Sequence, residues 1–402
     1  MYFFRAGLVP GAPRGCTVSV PKGYKRTEVG VIPEEWEVQS LGNVVGITTG
    51  RKDVNEGNPT GAYPFFTCSR DHTYSNSYSF DSEAILVAGN GDVGNLHYYQ
   101  GRFEAYQRTY VLRDFKLPAK YIWHQLDHRL AVSLGLGKIG TSIPYIKKGN
   151  LTYFAFPMPA TDTEQRAIAE ALGDVDALLG ALDVAIAKQR DLKQATMQQL
   201  LTGQTRLPGF AGEWETKQVI DFGRVVTGGT PRTDVASFWG DGYIWITPTD
   251  ISIDRDLTSS ERTITDMGLS VIRELPANTV LITCIASIGK NGILRSRGGC
   301  NQQINAVIPN SSFCAEFLYY LFEANVDRLK SKAGTTATSM VSKVEFSKIE
   351  FCVPLLAEQK AIAAVLSDID TALSALESRR TKTAALKQAM MQSLLTGRIR
   401  LV

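Results

Sequence analysis

From Ile168 onward, apolar residues recur in alternating steps of four and three, at Leu172, Val175, Leu179, Leu182 and Ile186. That rhythm is an a/d seam, the mark of a helix packing along one narrow stripe against another helix. The seam returns as Ile362, Leu366, Ile369, Leu373 and Leu376, and both copies turn more polar before Leu200 or Leu394 closes them. The flanking residues repeat too. Glu164-Gln165 opens one copy, which ends Leu200-Leu201-Thr202-Gly203 and Arg206-Leu207; Glu358-Gln359 opens the other, which ends Leu394-Leu395-Thr396-Gly397 and Arg400-Leu401. The copies align without a gap, and roughly half of the paired positions are identical. Thr161 with Glu164 predicts a capping box, and Gly203 and Gly397 sit where C-terminal caps belong. A helix of about 40 residues spans about 60 Å.

Elsewhere the period shortens. Ala84–Val87, Thr109–Leu112, Val280–Thr283 and Ile304–Ile308 read as strands, and Tyr121–Leu134 and Ala315–Lys332 as amphipathic helices. The expected fold class is therefore α+β, with two mixed globular segments separated by two long helices. The expected organisation is an N-terminal extension over 1–23, a globular segment over 24–160, a long helix over 161–205, a second globular segment over 206–356 and a second long helix over 357–402.

Chain order fixes how such helices would pair. If they run antiparallel as a coiled coil, the first carries the chain to the second segment and the second brings it back, giving a pseudo-twofold. One further repeat supports this closure. Gly209, Glu213, Trp214 and Glu215 follow the first helix, and Gly30, Glu35, Trp36 and Glu37 precede the first globular segment, as if the molecule were a cut circle. The globular segments share sparse landmarks: Gln107 with Gln302, Gly94 with Gly289, and Gly140-Thr141-Ser142 with Gly334-Thr335-Thr336. A matched frame carrying unlike segments points to one fold reading two targets.

Composition narrows the class without deciding it. Hydrophobic residues make up 44% and charged residues 21% of the 402, ordinary values for a globular protein. No apolar run approaches the roughly 20 residues of a membrane span. Six cysteines, Cys16, Cys68, Cys284, Cys300, Cys314 and Cys352, show no metal-binding spacing and read as reduced thiols of a cytoplasmic protein. The net charge of +3 permits nucleic-acid binding through local patches without arguing for it.

Several motifs invite other readings. Gly89-Asn90-Gly91-Asp92-Val93-Gly94 fits a dinucleotide fingerprint, but that fingerprint needs a following helix and Asn95–Tyr99 reads as a strand, so a β-turn is expected. His124 and His128 lie four apart on a predicted helix, yet no Glu stands between them to support a metal pair, so no metal is expected. Glu215-Thr216-Lys217 and Glu358-Gln359-Lys360 mimic a nuclease Glu-x-Lys without any Pro-Asp dipeptide, and no base amino-methylation motif occurs. No catalytic site and no cofactor are therefore expected.

The Gly30, Ile32, Pro33, Trp36 opening, Gly228-Gly229-Thr230-Pro231 with Trp239-Gly240, Trp245–Ile251 and the helices ending Leu-Leu-Thr-Gly together resemble the specificity subunits of type I restriction-modification systems. The resemblance covers nearly everything from about residue 24 onward, although Gly50-Arg51-Lys52 replaces the Gly-Gly-Thr-Pro stretch in the first segment. It implies that each globular segment is a target-recognition domain reading half of a bipartite, asymmetric sequence on double-stranded DNA. It implies too that the helices act as a ruler and dock two methyltransferase subunits, with restriction/translocase subunits joining through the complex. Half-sites spaced about 34–36 Å apart on duplex DNA suit such a pair. The competing expectation is a non-catalytic protein-binding scaffold with two globular ends.

Base edges are discriminated by Arg, Gln and Asn, and phosphates are held by Lys, Arg, Ser and Thr. The candidates in the first segment are Arg51, Lys52, Arg70, Asn90, Asn95, Gln107, Arg108 and Lys138; in the second they are Thr230, Arg232, Thr233, Thr249, Asp250, Lys290, Gln302 and Gln303. Gly173 and Gly180 lie one heptad apart inside the first long helix, with Ser367 and Ser374 at the equivalent places in the second. Small residues off the seam admit a close neighbour, which makes these four the candidate docking surface for the methyltransferase.

Overall fold

The computed structural model describes residues 20–135, 145–252, 254–333 and 340–401. Most of the N-terminal extension, Cys16, Lys138, Gly140-Thr141-Ser142 and Gly334-Thr335-Thr336 lie outside the described residues. The chain divides into two compact units, one of Met1–Leu182 with Arg379–Val402 and the other of Asp183–Ser378. Each unit therefore combines one globular segment with part of each long helix. The long helices span Asp162–Leu200 and Leu356–Leu394.

In the first unit six strands form one sheet: β1 (Gly46–Thr49), β2 (Tyr63–Phe66), β3 (Thr73–Ser75), β4 (Phe80–Ala88), β5 (Leu96–Ala105) and β6 (Thr109–Arg113), in the order β1-β6-β4-β5-β2-β3. Helix α1 (Ala119–Ser133) covers one face. Ile85, Val87 and Leu112 point into a core with Tyr121, Ile122 and Leu126 of α1, Ile168 and Leu172 of the first long helix, and Met391 and Leu394 of the second. Ala84, Leu86 and Val111 point the other way, against Phe66 and Phe103. Both faces are buried, which is why Ala84–Val87 is continuously apolar instead of alternating.

The second unit repeats the plan with β7 (Gly223–Thr227), β8 (Trp239–Ile246), β9 (Asp256–Leu257), β10 (Thr279–Thr283), β11 (Asn291–Leu294) and β12 (Ile304–Pro309). Its five-stranded sheet runs β7-β12-β10-β11-β9, and β8 lies in a separate sheet between Thr263–Ile264 and Gly298–Cys300. Helix α2 (Ala315–Ala324) packs on the larger sheet, with Met197, Leu200, Ile362 and Leu366 of the long helices in the same core. The single helix expected over Ala315–Lys332 is interrupted. Asn325 leaves the helical conformation and its side-chain amide donates to the Leu321 carbonyl at 2.8 Å, so the chain restarts as a separate turn over Val326–Lys330.

The same set of ties recurs inside each unit. In the first, Arg400 holds Glu164, Lys387 bridges Asp127 and Asp176, and the Arg400 guanidinium lies 5.6 Å over the Trp36 ring. In the second, Arg206 holds Glu358, Lys193 bridges Glu323 and Asp370, and Arg206 lies 5.6 Å over Trp214. Within each unit the ties pair rising numbers on one long helix with falling numbers on the other. At the ends, Gly203 and Gly397 take φ of +70° and +71° as expected, while Thr161 Oγ1 accepts the Glu164 amide but the Glu164 carboxylate turns to Arg400, leaving half of the expected capping box. A side chain on Gly397 would come within 2.5 Å of Pro33, so this cap holds the Gly30–Trp36 stretch against the end of the second helix.

Candidate nucleic-acid interface

Antiparallel register decides which loops share an edge. In the first unit Thr49 pairs with Tyr110, Ala88 with Thr109 and Val87 with Leu96, so the C-termini of β1 and β4 and the N-termini of β5 and β6 meet at one end of the sheet. Backbone bonds draw the intervening loops together. The Gly50 amide donates to Thr109, Gln107 to Lys52, Gly89 to Arg108 and Asp92 to Cys68. Arg51, Lys52, Arg70, Asn90, Asn95, Gln107 and Arg108 therefore stand on one rim, although they span 58 positions of sequence from Arg51 to Arg108.

Their side chains have unequal freedom. Arg51, Arg70 and Arg108 are exposed and carry no side-chain partner among the described residues. Lys52 is tied down: Nζ donates to Ser75 and Ser77 hydroxyls at 2.9 and 2.7 Å and lies 3.7 Å from the buried Glu104 carboxylate. Asn95 Nδ2 donates to the Ser69 carbonyl at 3.1 Å, which fixes the Arg70 loop beside the β4–β5 turn. Gln107 remains exposed while Nε2 donates to Asp53 at 3.0 Å. The fingerprint-like glycines form that turn and no helix follows, as the strand reading required. Burial pushes the His97 imidazole below its ordinary range, so it borders the rim as a neutral ring.

The second unit gathers its candidates at the equivalent end. Thr227 pairs with Asn305, Thr283 with Ile304 and Ile282 with Asn291, which joins the ends of β7, β10, β11 and β12. Gly228 lies so close to the 300–301 backbone that a Cβ would come within 2.2 Å of the Asn301 carbonyl oxygen. The Thr230 hydroxyl donates to Gln302 Oε1. Gln303 exchanges bonds with Asn301, and its carbonyl accepts the Cys284 amide. Lys290, in the β10–β11 turn, and Thr233 are exposed with no side-chain partner among the described residues. Arg232 is paired with Asp234 at 2.7 Å, and that guanidinium holds the Asp234 carboxyl below the usual range. Asp250 accepts from the Thr247 amide and hydroxyl and from the Glu261 amide, so its carboxylate shapes a turn; Thr249 bonds Thr247 beside it.

Sequence reasoning missed one cluster. Arg262 stacks 3.5 Å over Trp239, which packs edge-on against Trp245, and Trp245 Nε1 donates to the Gly229 carbonyl. These residues meet only through the β8 sheet, and no spacing announces them.

Of the four helix positions, Gly173 and Gly180 would give a Cβ no neighbour within 4 Å. Ser374 is exposed. Ser367 is not open: Arg255 Nη1 donates to its hydroxyl at 2.6 Å. His124 is buried, 3.9 Å from Asp176, and the described residues contain no cluster of metal-ligating side chains.

The family model described as type I restriction modification DNA specificity domain matches residues 33–187 and 211–387, more than half of the chain. The chain belongs to this family. A stretch of 165 residues is 35% identical to the EcoDI specificity subunit of Escherichia coli, covering 41% of this chain and 36% of that protein. The chain thus spans well under two thirds of that relative's length. The putative MjaX specificity subunit of Methanocaldococcus jannaschii is 21% identical over 436 residues, covering 94% of this chain and 97% of its own. The type I restriction-modification S subunit from M. genitalium shares the fold, with a TM-score of 0.66 at 15% identity over 90% of this chain and 96% of that one. Within this specificity family, the α+β architecture is the expected one, and no helix among the described residues is long and apolar enough to cross a membrane.

Proposed function

We propose that this chain is a sequence-specific DNA-recognition subunit of a type I restriction-modification complex. In this reading the target-recognition domains are residues 24–160 and 206–356, each presenting its rim to one half of an asymmetric bipartite site on double-stranded DNA. The observation that carries it is the common end of the two sheets. Equivalent strand ends bring donor-rich loops together in both units, but with unlike side chains: Arg51, Arg70 and Arg108 in one, Thr230, Lys290 and Gln302 in the other. Arginines and lysines without partners serve phosphates, and amides such as Gln107 and Gln302 serve base edges.

The finer architecture belongs to the same proposal. Two antiparallel long helices, packed as a coiled coil with pseudo-twofold symmetry, hold the two readers apart. The gapless sequence repeat and the matched lysine and arginine ties inside each unit support it. The helices dock two methyltransferase subunits, with Gly173, Gly180 and Ser374 on the open faces, and restriction/translocase subunits join through the complex. The subunit itself carries no chemistry and needs no cofactor.

The test is selection from a random duplex library with the full chain and its methyltransferase subunit. One asymmetric bipartite motif is expected. Recovery of duplexes with no common sequence overturns the proposal.

A further inference from the structure

One difference between the two units lies at the sheet edge beside the long helices. In the second unit β9 adds to the edge of the sheet parallel to β11, with the Ile293 amide donating to the Arg255 carbonyl at 2.7 Å and the Arg295 amide to the Leu257 carbonyl at 3.1 Å. The Arg255 side chain then crosses to the helices, where it donates to Ser367 at 2.6 Å and to Tyr320 at 3.1 Å. Arg295 completes the filling by binding Asp256 and Glu316. An extended segment led by an arginine thus closes the space between sheet edge and long helix.

Among the described residues of the first unit that space is open. Tyr98 stands four residues past Gly94 as Ile293 stands four past Gly289, and Gly173 is the counterpart of Ser367. Among the described residues no strand pairs with β5 at Tyr98–Gln100 on the side away from β4; β2 meets it only at Glu104 and Ala105. A cleft of about 820 Å³ remains, walled by Tyr98 and Lys120 on one side and by Glu170, Gly173, Asp174 and Ala177 of the first long helix on the other. Glu170 and Asp174 lie one turn apart with no side-chain partner among the described residues, an arrangement of like charges that a cation relieves. Gly173 leaves the room that a guanidinium would occupy.

We propose that the first-unit cleft takes an extended, arginine-bearing segment of another polypeptide, added along β5 with its guanidinium on Glu170 and Asp174. The second unit supplies the equivalent segment itself, so among the described residues one such site is open and not two. This goes beyond DNA recognition and does not depend on it.

The probe is a fluorescent peptide copying residues 250–259, which includes the Arg255–Leu257 segment at the counterpart edge, titrated into the full chain by anisotropy. Saturable binding is expected, weakened about tenfold or more by replacing the peptide's arginine with alanine, since a charge-assisted bond is lost. A similar loss is expected for the chain carrying Glu170→Lys with Asp174→Lys, both exposed on the solvent side of a helix and outside its packed face. The Asp368→Lys variant, at the filled counterpart, should bind as the parent does. A photo-crosslinking residue at Ala177 should capture the peptide, and one at Thr371 should not. Absence of saturable binding, or binding equal in all variants, overturns the inference.

Discussion

Arg400 binds Glu164 through two N–H···O bonds of 2.5 and 2.8 Å, joining the end of the second long helix to the start of the first within one unit. Glu164 is 2% exposed, so its carboxylate depends on that guanidinium for both charge and hydrogen bonds. Arg400→Ala should destabilise the first unit by about 1–3 kcal/mol, the cost of leaving a buried charged acceptor without its donor. Denaturant unfolding followed by tryptophan fluorescence measures this, because Trp36 lies under the same guanidinium. An unchanged midpoint would remove the tie from the account.

His124 should make stability depend on pH. Burial depresses its pKa, Lys387 adds to that, and Asp176 and Asp127 oppose it. The unfolded chain therefore binds the proton more readily, and stability present above about pH 6.5 falls as pH drops below it. His97 and His128 are depressed by burial in the same direction. His124→Tyr, which copies Tyr320 and its 2.7 Å bond to Asp370, should make the loss between about pH 7 and pH 5 shallower. Melting curves across that range check it; an unaltered slope would contradict the burial argument.

If the rims face DNA as proposed, substitution should separate phosphate contacts from base contacts. Arg51→Ala and Arg108→Ala should weaken binding to all duplexes alike and lower the salt slope by about one per phosphate contact removed. Gln107→Ala and Gln302→Ala should instead relax preference at one position of one half-site by about 1–3 kcal/mol. Binding measured at several salt concentrations on matched and single-mismatch duplexes distinguishes the two effects.

Two glycines should respond with opposite signs. A Cβ on Gly50 would lie 1.8 Å from the Ala105 carbonyl oxygen, so Gly50→Ala should force the rim loop apart and lower stability by about 2 kcal/mol or more. Gly180 has open space, so Gly180→Ala should raise stability by about 1 kcal/mol through helix propensity alone. Thermal unfolding of both variants reads the two signs.

Cysteine labelling should follow burial. Cys300 and Cys284 are buried and their thiols are pushed up to about 12 and about 11 by desolvation, so few thiolates exist at neutral pH. Cys352 is exposed and should be alkylated first among the described cysteines. Mass mapping after brief iodoacetamide treatment checks the order.

The long helices, the strands at Ala84, Thr109, Val280 and Ile304, and the glycine caps were all legible because each depends on local periodicity or local backbone need. The break at Asn325 was not. Its cause is a side-chain bond to Leu321 that competes with helix continuation, and the hydrophobic pattern runs through it undisturbed. The candidate rim was legible as residue types and loops, while its division of labour was not. Lys52 and Asp250 look as suited to DNA as Arg51 does, until their bonds to Ser75, Glu104, Thr247 and Glu261 are seen.

By itself the sequence determined a repeated pair of long helices, an α+β class for the segments they flank and a resemblance to type I specificity subunits. These follow from spacing and from comparison of the chain with itself. Only the tertiary structure decided which loops share an edge, which cations remain without partners, and that Arg255 fills in one unit a space left open beside Gly173 in the other. Those outcomes depend on strand register and on contacts between residues far apart in the chain, and no local pattern encodes them.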